Sequence, residues 1–294
     1  MKVLVTGGTG FVGSHVVRAL AAGGHDLKLL VRDATRSREL PGQPVVGEMT
    51  NAVSLATAVD GVEGVVHLVA IRQGSDEQFK RVMEQGTRDL VEAARQAGVK
   101  RFVLMSALGT SAETKDLVPY YHAKWEMEQT VQSSGIDHVI FRPSFVFGSE
   151  GGILPTFRKL ARLTPVTPIV GSGDQRIQPI WDGDVAAYFA AAIDRPEATN
   201  RTFELGGPDV VSWNELWRRL RAALGIRRRP TMHVPVRLMR ANALLTERLP
   251  GNIPLTRDLL TMLEHGDNVV SNDDAVQVFQ IPLVSLDEQL RRAT

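Results

Sequence analysis

Tyr120 and Lys124 stand four residues apart in the run Tyr120-Tyr121-His122-Ala123-Lys124. On a helix that spacing puts both side chains on one face and in one site. A phenol titrates near ~10, and an adjacent ammonium favours its ionised form, so the pair is suited to exchanging a proton at neutral pH. A second constellation, Gly7-Gly8-Thr9-Gly10-Phe11-Val12-Gly13, follows a β-branched run at Lys2–Thr6 and leads into the amphipathic pattern Val12, Val16, Val17 and Leu20, which stops at Gly23-Gly24. Strand, glycine turn and helix are the order that a pyrophosphate needs. Gly8 and Gly10 are expected to take backbone angles closed to other residues and to let the chain approach the phosphates. Gly13 lets the helix lie close to the strand, and the unpaired N–H groups of the first turn, beginning near Phe11, face the negative charge.

The end of the second strand bears on which dinucleotide is held. An acidic residue there suits a ribose 2′-hydroxyl, whereas an arginine suits a 2′-phosphate. This chain has Arg32 and then Asp33, with Arg36 and Arg38 close behind. The guanidinium of Arg32 favours NADP(H) over NAD(H), although Asp33 leaves NAD(H) open.

These residues must be placed by a scaffold, and the pattern of the first half supplies one. Strands are read at Lys2–Thr6, 27–31, 44–46, 64–69, Arg101–Met105 and 137–141, alternating with helices from about 11, 77–97 and 120–133. That alternation predicts an α/β fold, a doubly wound parallel sheet of the dinucleotide-binding type covered on both faces. The Tyr120 helix follows strand five, on the side where such sheets bind ligands. After Gly148 prolines become frequent, so residues 1–148 are read as the nucleotide-binding domain and 149–294 as a smaller, mostly helical lobe. Segments near 176–206, a strand at 177–181 and an apolar helix at 185–193 among them, are expected to return to the first domain.

Composition excludes several classes. Lys+Arg 34 against Asp+Glu 33 leaves a net charge of +1, which gives no reason to expect nucleic acid as a partner. With no cysteine there are no disulfides, thiolate nucleophiles or iron–sulfur ligands, in keeping with a cytoplasmic location. The histidines are scattered, so no metal is expected. No apolar run reaches the ~18 residues of a membrane span. Arg227-Arg228-Arg229 reads as a solvated helix end, and 236–249 as an amphipathic stretch that packs on its own domain and leaves peripheral membrane contact open.

Taken together, the chain resembles the short-chain dehydrogenase/reductase superfamily. The resemblance rests on Thr6 to Gly13, Val66-His67-Leu68-Val69-Ala70, Gly86-Thr87-Arg88-Asp89-Leu90-Val91, Tyr120 with Lys124, and Arg142-Pro143-Ser144-Phe145-Val146-Phe147-Gly148. Length and the proline-rich lobe are similar to the extended type, including sugar-nucleotide epimerases and dehydratases. Val31-Arg32-Asp33 with Met105 to Gly109 is similar to the atypical branch, and the tail from Ile253 to Val270 to relatives of the NADPH-binding accessory subunit of respiratory complex I. The resemblance implies that Gly7, Thr9, Gly10, Phe11, Val12 and Gly13 hold the pyrophosphate and Arg32 the ribose phosphate. It also implies that Glu48 and Met49 meet the adenine, that Leu68, Val69, Ala70 and Pro143 line the cofactor, and that Lys124 reaches the nicotinamide ribose.

Two positions depart from the family pattern. Met83 stands where an asparagine holds a relay water, and Ala107 follows Ser106 where a second hydroxyl is usual, which leaves Ser106, Thr110 or Ser111 to polarise a substrate carbonyl. The expectation is an NADP(H)-dependent oxidoreductase acting on a small molecule through Tyr120, Lys124 and Ser106. A non-catalytic cofactor-holding accessory factor and a sugar-nucleotide epimerase or dehydratase are the alternatives.

Overall fold

The computed structural model describes residues 1–226, 229–240 and 256–294. Their contacts divide the chain into two compact units, one of residues 1–143, 182–205 and 271–282, the other of 144–181, 206–270 and 283–294.

The first unit is built on seven parallel strands. β1 (Lys2–Thr6), β2 (Asp26–Val31), β3 (Gln43–Val46), β4 (Gly64–His67), β5 (Arg101–Met105) and β6 (Asp137–Pro143) are joined by a seventh, Arg201–Leu205. The order across the sheet is Arg201–Leu205, β6, β5, β4, β1, β2, β3. The chain therefore winds outward from β1 in one direction and then, from β4, in the other, which puts the switch point between β1 and β4. Val3, Leu4, Val5, Val65, Val66, Val103 and Leu104 are all buried, as strands covered on both faces require.

Helices cover the two faces. α1 (Phe11–Ala22) packs against the helix Asp182–Asp194. α2 (Ala52–Val59) packs against the helix Gly86–Gln96. The single helix expected over 77–97 is a composite: α3 (Asp76–Phe79), a π-helical stretch Lys80–Gln85 and α4 (Gly86–Gln96). α5 (Pro119–Gln132) carries Tyr120 and Lys124. The returning segment 271–282 brings Phe279 onto Phe141, Tyr188 and Phe203, with ring centroids 5.3–5.6 Å apart.

In the second unit, helices Leu154–Leu163, Trp213–Ala223 and Leu286–Arg292 enclose a core in which Phe157 packs edge-on against Trp213, centroids 5.7 Å apart. The strand expected over 177–181 is two short strands, Arg176–Ile177 and Ile180–Trp181, which pair with different partners. Pro179, which has no N–H to donate, separates them. Arg229 is no solvated helix end: Nη1 donates to the Ala161 carbonyl at 3.0 Å and the Arg162 carbonyl at 3.3 Å, at the end of Leu154–Leu163. The unpaired carbonyls at a helix C-terminus attract such a cation. Arg227, Arg228, 241–249 of the amphipathic stretch and 253–255 of the tail lie outside the described residues. No helix among the described residues is long and apolar enough to cross a membrane.

The tightest joint in the first unit lies between α1 and β1. A β-carbon on Gly13 would stand 2.1 Å from the Gly7 carbonyl oxygen and 2.9 Å from its carbonyl carbon. Since both atoms are backbone, relief requires α1 to move. Gly13→Ala is therefore expected to destabilise the protein by about 2–4 kcal/mol, as overpacking against backbone does, read by urea denaturation. A loss below about 0.5 kcal/mol would show that the joint is soft.

Candidate functional site

The glycine turn divides its work differently from the expectation. Gly7, at φ +76, is the residue that needs glycine's conformational freedom. Gly10 lies at φ −80, ψ 177, an ordinary extended geometry, and Gly8 does not have a positive φ. Gly8 is needed for space, because a β-carbon there would meet the Val17 side chain at 2.9 Å. At Gly7 the same test brings the backbone of Leu68 and Val69 to 3.0 Å. The loops that end β1 and β4 are thus pressed together, with Leu68 N–H donating to the Thr6 carbonyl at 3.0 Å. Gly10 is exposed, and only the Gly7 carbonyl, at 3.1 Å, lies near its missing side chain.

Gly10 also serves as N-cap of α1, and no side chain caps the helix. Its first-turn amides are presented at the carboxyl edge of the sheet beside Thr9, Phe11 and Val12. These features fit a dinucleotide pyrophosphate: backbone donors at a helix N-terminus, a positive dipole end, and a turn with no side chain in the way. At the end of β2, Arg32 is exposed. Glu48 is exposed as well, whereas the Met49 side chain is buried in the core beneath. Leu68 is buried, Val69 half-buried and Ala70 exposed after β4. Pro143, at the end of β6, accepts from Leu108 N–H at 3.0 Å.

The Tyr120 and Lys124 side chains do meet, with Nζ 5.8 Å from the centre of the Tyr120 ring. Lys124 is only 1% exposed, and its ammonium donates to the Met105 carbonyl at the end of β5, 2.6 Å away. Burial pulls its pKa down to about 7, against an upward pull from the Glu128 carboxylate one turn further along α5. The expected activation of the phenol by Lys124 is not what the site shows. Burial and the neighbouring Tyr121 raise the Tyr120 pKa, and the opposing cation is Arg72, in the loop after β4. Lys124 is turned to a carbonyl and sits over the ring face, and its own burial weakens its hold on a proton.

Ser106 follows β5 directly. Its hydroxyl and that of Thr110, in residues 2% and 1% exposed, are buried without a hydrogen-bond partner. Such orphaned hydroxyls are uncommon in native interiors. Ser111 is turned inward on its own loop and donates to or accepts from Thr114 Oγ1 at 3.2 Å.

Two features of the site, the bonds of His67 and the Glu128–Arg142 pair, were given no role by sequence reasoning. His67 is fully buried, and its pKa is depressed to about 3 by burial and by the Lys124 charge. Thr87 Oγ1 donates to the Met83 carbonyl at 2.5 Å, so it accepts from His67 Nε2–H at 3.0 Å, and Nδ1 is left to accept from Thr6 Oγ1 at 2.5 Å. This neutral imidazole ties β1, β4 and α4 together below the site, and Thr87 extends the chain of bonds to the π-helical stretch. Met83 itself is in the core, not at the surface. Glu128, fully buried, holds Arg142 of β6 through two bonds of 2.9 and 2.6 Å. The i, i+4 spacing of Lys124 and Glu128 was a visible signal that the Glu128 charge acts on Lys124, whereas the Arg142 partner of Glu128 and the partners of His67 were not visible.

Known proteins share this architecture. The NADPH-dependent quinone oxidoreductase of Escherichia coli, solved with NADPH, superposes with a TM-score of 0.80 at 20% identity, covering 98% of each chain. The NAD(P)H azoreductase of Xenophilus azovorans is 30% identical over 249 residues, 83% of this chain and 80% of that one. A mitochondrial NADH dehydrogenase [ubiquinone] 1 alpha subcomplex subunit 9 from Arabidopsis thaliana is 28% identical over 72% of this chain and 55% of its own length. The resemblance carried by the glycine turn and the later motifs therefore holds, and since the NAD(P)H-binding family model matches residues 7–196, the chain belongs to that family.

Proposed function

We propose that the chain is an NADP(H)-dependent oxidoreductase that moves hydride to or from a carbonyl or hydroxyl carbon of a small molecule. The observation that carries this reading is the buried Lys124 ammonium, bonded to the end of β5 and lying over the Tyr120 ring at the carboxyl edge of the sheet. A lysine kept that far from water needs a reason, and a proton-handling site supplies one. In this reading Gly7, Thr9, Gly10, Phe11, Val12 and Gly13 hold the pyrophosphate, and Arg32 meets the 2′-phosphate. Glu48 flanks the adenine, with Met49 supporting it from the core beneath, while Leu68, Val69, Ala70 and Pro143 line the rest of the cofactor. When bound, the nicotinamide supplies hydride chemistry.

The protein's own residues manage the proton and the carbonyl. Tyr120 Oη exchanges a proton with the substrate oxygen. Lys124 keeps two N–H donors beyond the one spent on Met105, enough to reach a ribose hydroxyl of the cofactor. In this reading the Ser106 hydroxyl, buried without a partner, polarises the substrate oxygen, with Thr110 in the same loop. The reductase names of the azoreductase and the quinone oxidoreductase support this reading. A cofactor-holding accessory role is favoured by different observations, the raised Tyr120 pKa and the likeness to a complex I subunit.

Three outcomes test the proposal. NADPH is expected to bind more tightly than NADH in a fluorescence titration, and Arg32→Ala to weaken NADPH about 10- to 100-fold, as loss of a charge-assisted bond does, with little effect on NADH. Equal affinities in the unmutated protein would overturn the NADP(H) assignment. In a screen of ketones, aldehydes, quinones and azo compounds, Tyr120→Phe is expected to lower kcat by about 10²–10⁴ while NADPH affinity stays nearly intact. If no compound drives NADPH consumption above the Tyr120→Phe control, the accessory reading stands instead.

The third outcome concerns Lys124 and pH. The folded chain releases this proton near 7, whereas an exposed lysine keeps it to 10.5. Between those values the unfolded state binds more protons, so stability rises with pH across that window. Urea denaturation is expected to show that rise in the native protein and a smaller one in Lys124→Met. Equal slopes would mean that Lys124 titrates normally.

A further inference from the structure

The end of β2 sets one carboxylate, Asp33, among the guanidinium groups of Arg32, Arg36 and Arg38. A free carboxylate in that place takes a ribose 2′-hydroxyl and repels a 2′-phosphate. Asp33 is engaged elsewhere. Its Oδ1 accepts from the Thr35 backbone N–H at 2.9 Å and from the Thr35 Oγ1 hydroxyl at 2.8 Å, with Asp33 extended at φ −140, ψ 115 before the short turn Ala34–Ser37. These two bonds, aided by the Arg36 charge, hold the carboxyl below its usual range. Asp33 is ionised at neutral pH and directed along the chain to Thr35, while Arg32, one residue earlier and on the opposite side of an extended backbone, is exposed like Asp33 but without such a bond among those described.

We propose that Thr35 is a positioning residue for cofactor choice: by binding Asp33 Oδ1 it keeps the one carboxylate at the β2 end away from the ribose and leaves the arginines to meet a 2′-phosphate. The inference rests on the NADP(H) reading above. It extends that reading by moving part of the preference from the arginine that touches the cofactor to a hydroxyl that does not. With Oγ1 removed, one backbone bond remains to hold Asp33, and the carboxylate gains the freedom to turn toward the ribose. There it adds an acceptor for NADH and a like charge against NADPH.

The test is a fluorescence titration of NADPH and NADH against the full chain as wild type, Thr35→Val, Thr35→Ser, Asp33→Asn and Asp33→Asn with Thr35→Val. Thr35→Val is expected to lower the ratio of NADPH to NADH affinity about 3- to 10-fold, and Thr35→Ser, which restores a hydroxyl, to return it to the wild-type value. In the Asp33→Asn background the valine substitution is expected to leave the ratio unchanged, because the charge through which Thr35 acts is gone. A ratio in Thr35→Val within twofold of wild type overturns the proposal, and so does a shift that persists undiminished in Asp33→Asn. The wild-type ratio alone judges the NADP(H) reading. A wild type that prefers NADH sinks that reading, and the change produced by Thr35→Val, measured in both backgrounds, still decides the role of Thr35. Thr35 is exposed, so a thermal melt matching wild type excludes a folding defect as the source of any shift.

Discussion

A turn that offers only backbone to a ligand depends on how near a helix can come to the strand before it, and here that distance is set by the contact of Gly13 with the Gly7 carbonyl. No side chain fits between them. The same approach brings Gly7 against the backbone of Leu68 and Val69, so the ends of β1 and β4 are fixed together at the switch point. The amides of the first α1 turn are uncapped by any side chain and aim at one place as a consequence. Backbone donors fixed in this way lose little entropy when a phosphate arrives, which is why the site can be built from glycines.

A second constraint is electrostatic and works against stability. Lys124 is held in the interior by one carbonyl bond, and burial takes its proton affinity down to about 7. The surrounding groups limit that penalty without removing it. Glu128 lends negative charge one turn away, but its carboxylate is bound at both oxygens by Arg142. His67 stays neutral beside the ammonium, committed to Thr6 and Thr87. Had His67 been charged, two buried cations would face each other. The π-helical stretch fits the same arrangement, since Thr87 on its far side bridges His67 to the Met83 carbonyl. Such stretches are frequent where a helix is adjusted to a functional site.

Much of this was legible in the sequence because it rests on spacing. The alternation of apolar strands and amphipathic helices gave the parallel sheet, and the four-residue interval of Tyr120 and Lys124 gave their meeting on α5. What escaped depends on contacts between residues far apart in the chain. The positive φ falls on Gly7 and not on Gly8 or Gly10, because the approach of the β4 loop decides it. The phenol was expected to be drawn down by its lysine, but burial acts on both groups, and burial is not readable from a four-residue interval. The break at Lys80–Gln85 and the split at Pro179 interrupt elements whose periodicity looked continuous. The partner of Arg229 is a helix end more than sixty residues earlier, so its local run of arginines pointed to solvent instead.

The end of β2 shows why residue type alone does not decide cofactor choice. By composition, Arg32 and Asp33 pull in opposite directions, and a rule that counts charges gives no answer. Both side chains are exposed, and the structure separates them by engagement: Arg32 is free of hydrogen bonds among those described, and Asp33 is drawn onto its own turn by two hydrogen bonds from a single threonine. An ionised carboxylate that already accepts two donors loses them if it turns to a ribose, and each such charge-assisted bond is stronger than a neutral one. The guanidinium carries no such prior engagement among the described hydrogen bonds. On the NADP(H) reading, a 2′-phosphate arriving there would meet a cation with its donors in water, and the preference would rest on what each side chain gives up as much as on the sign of its charge.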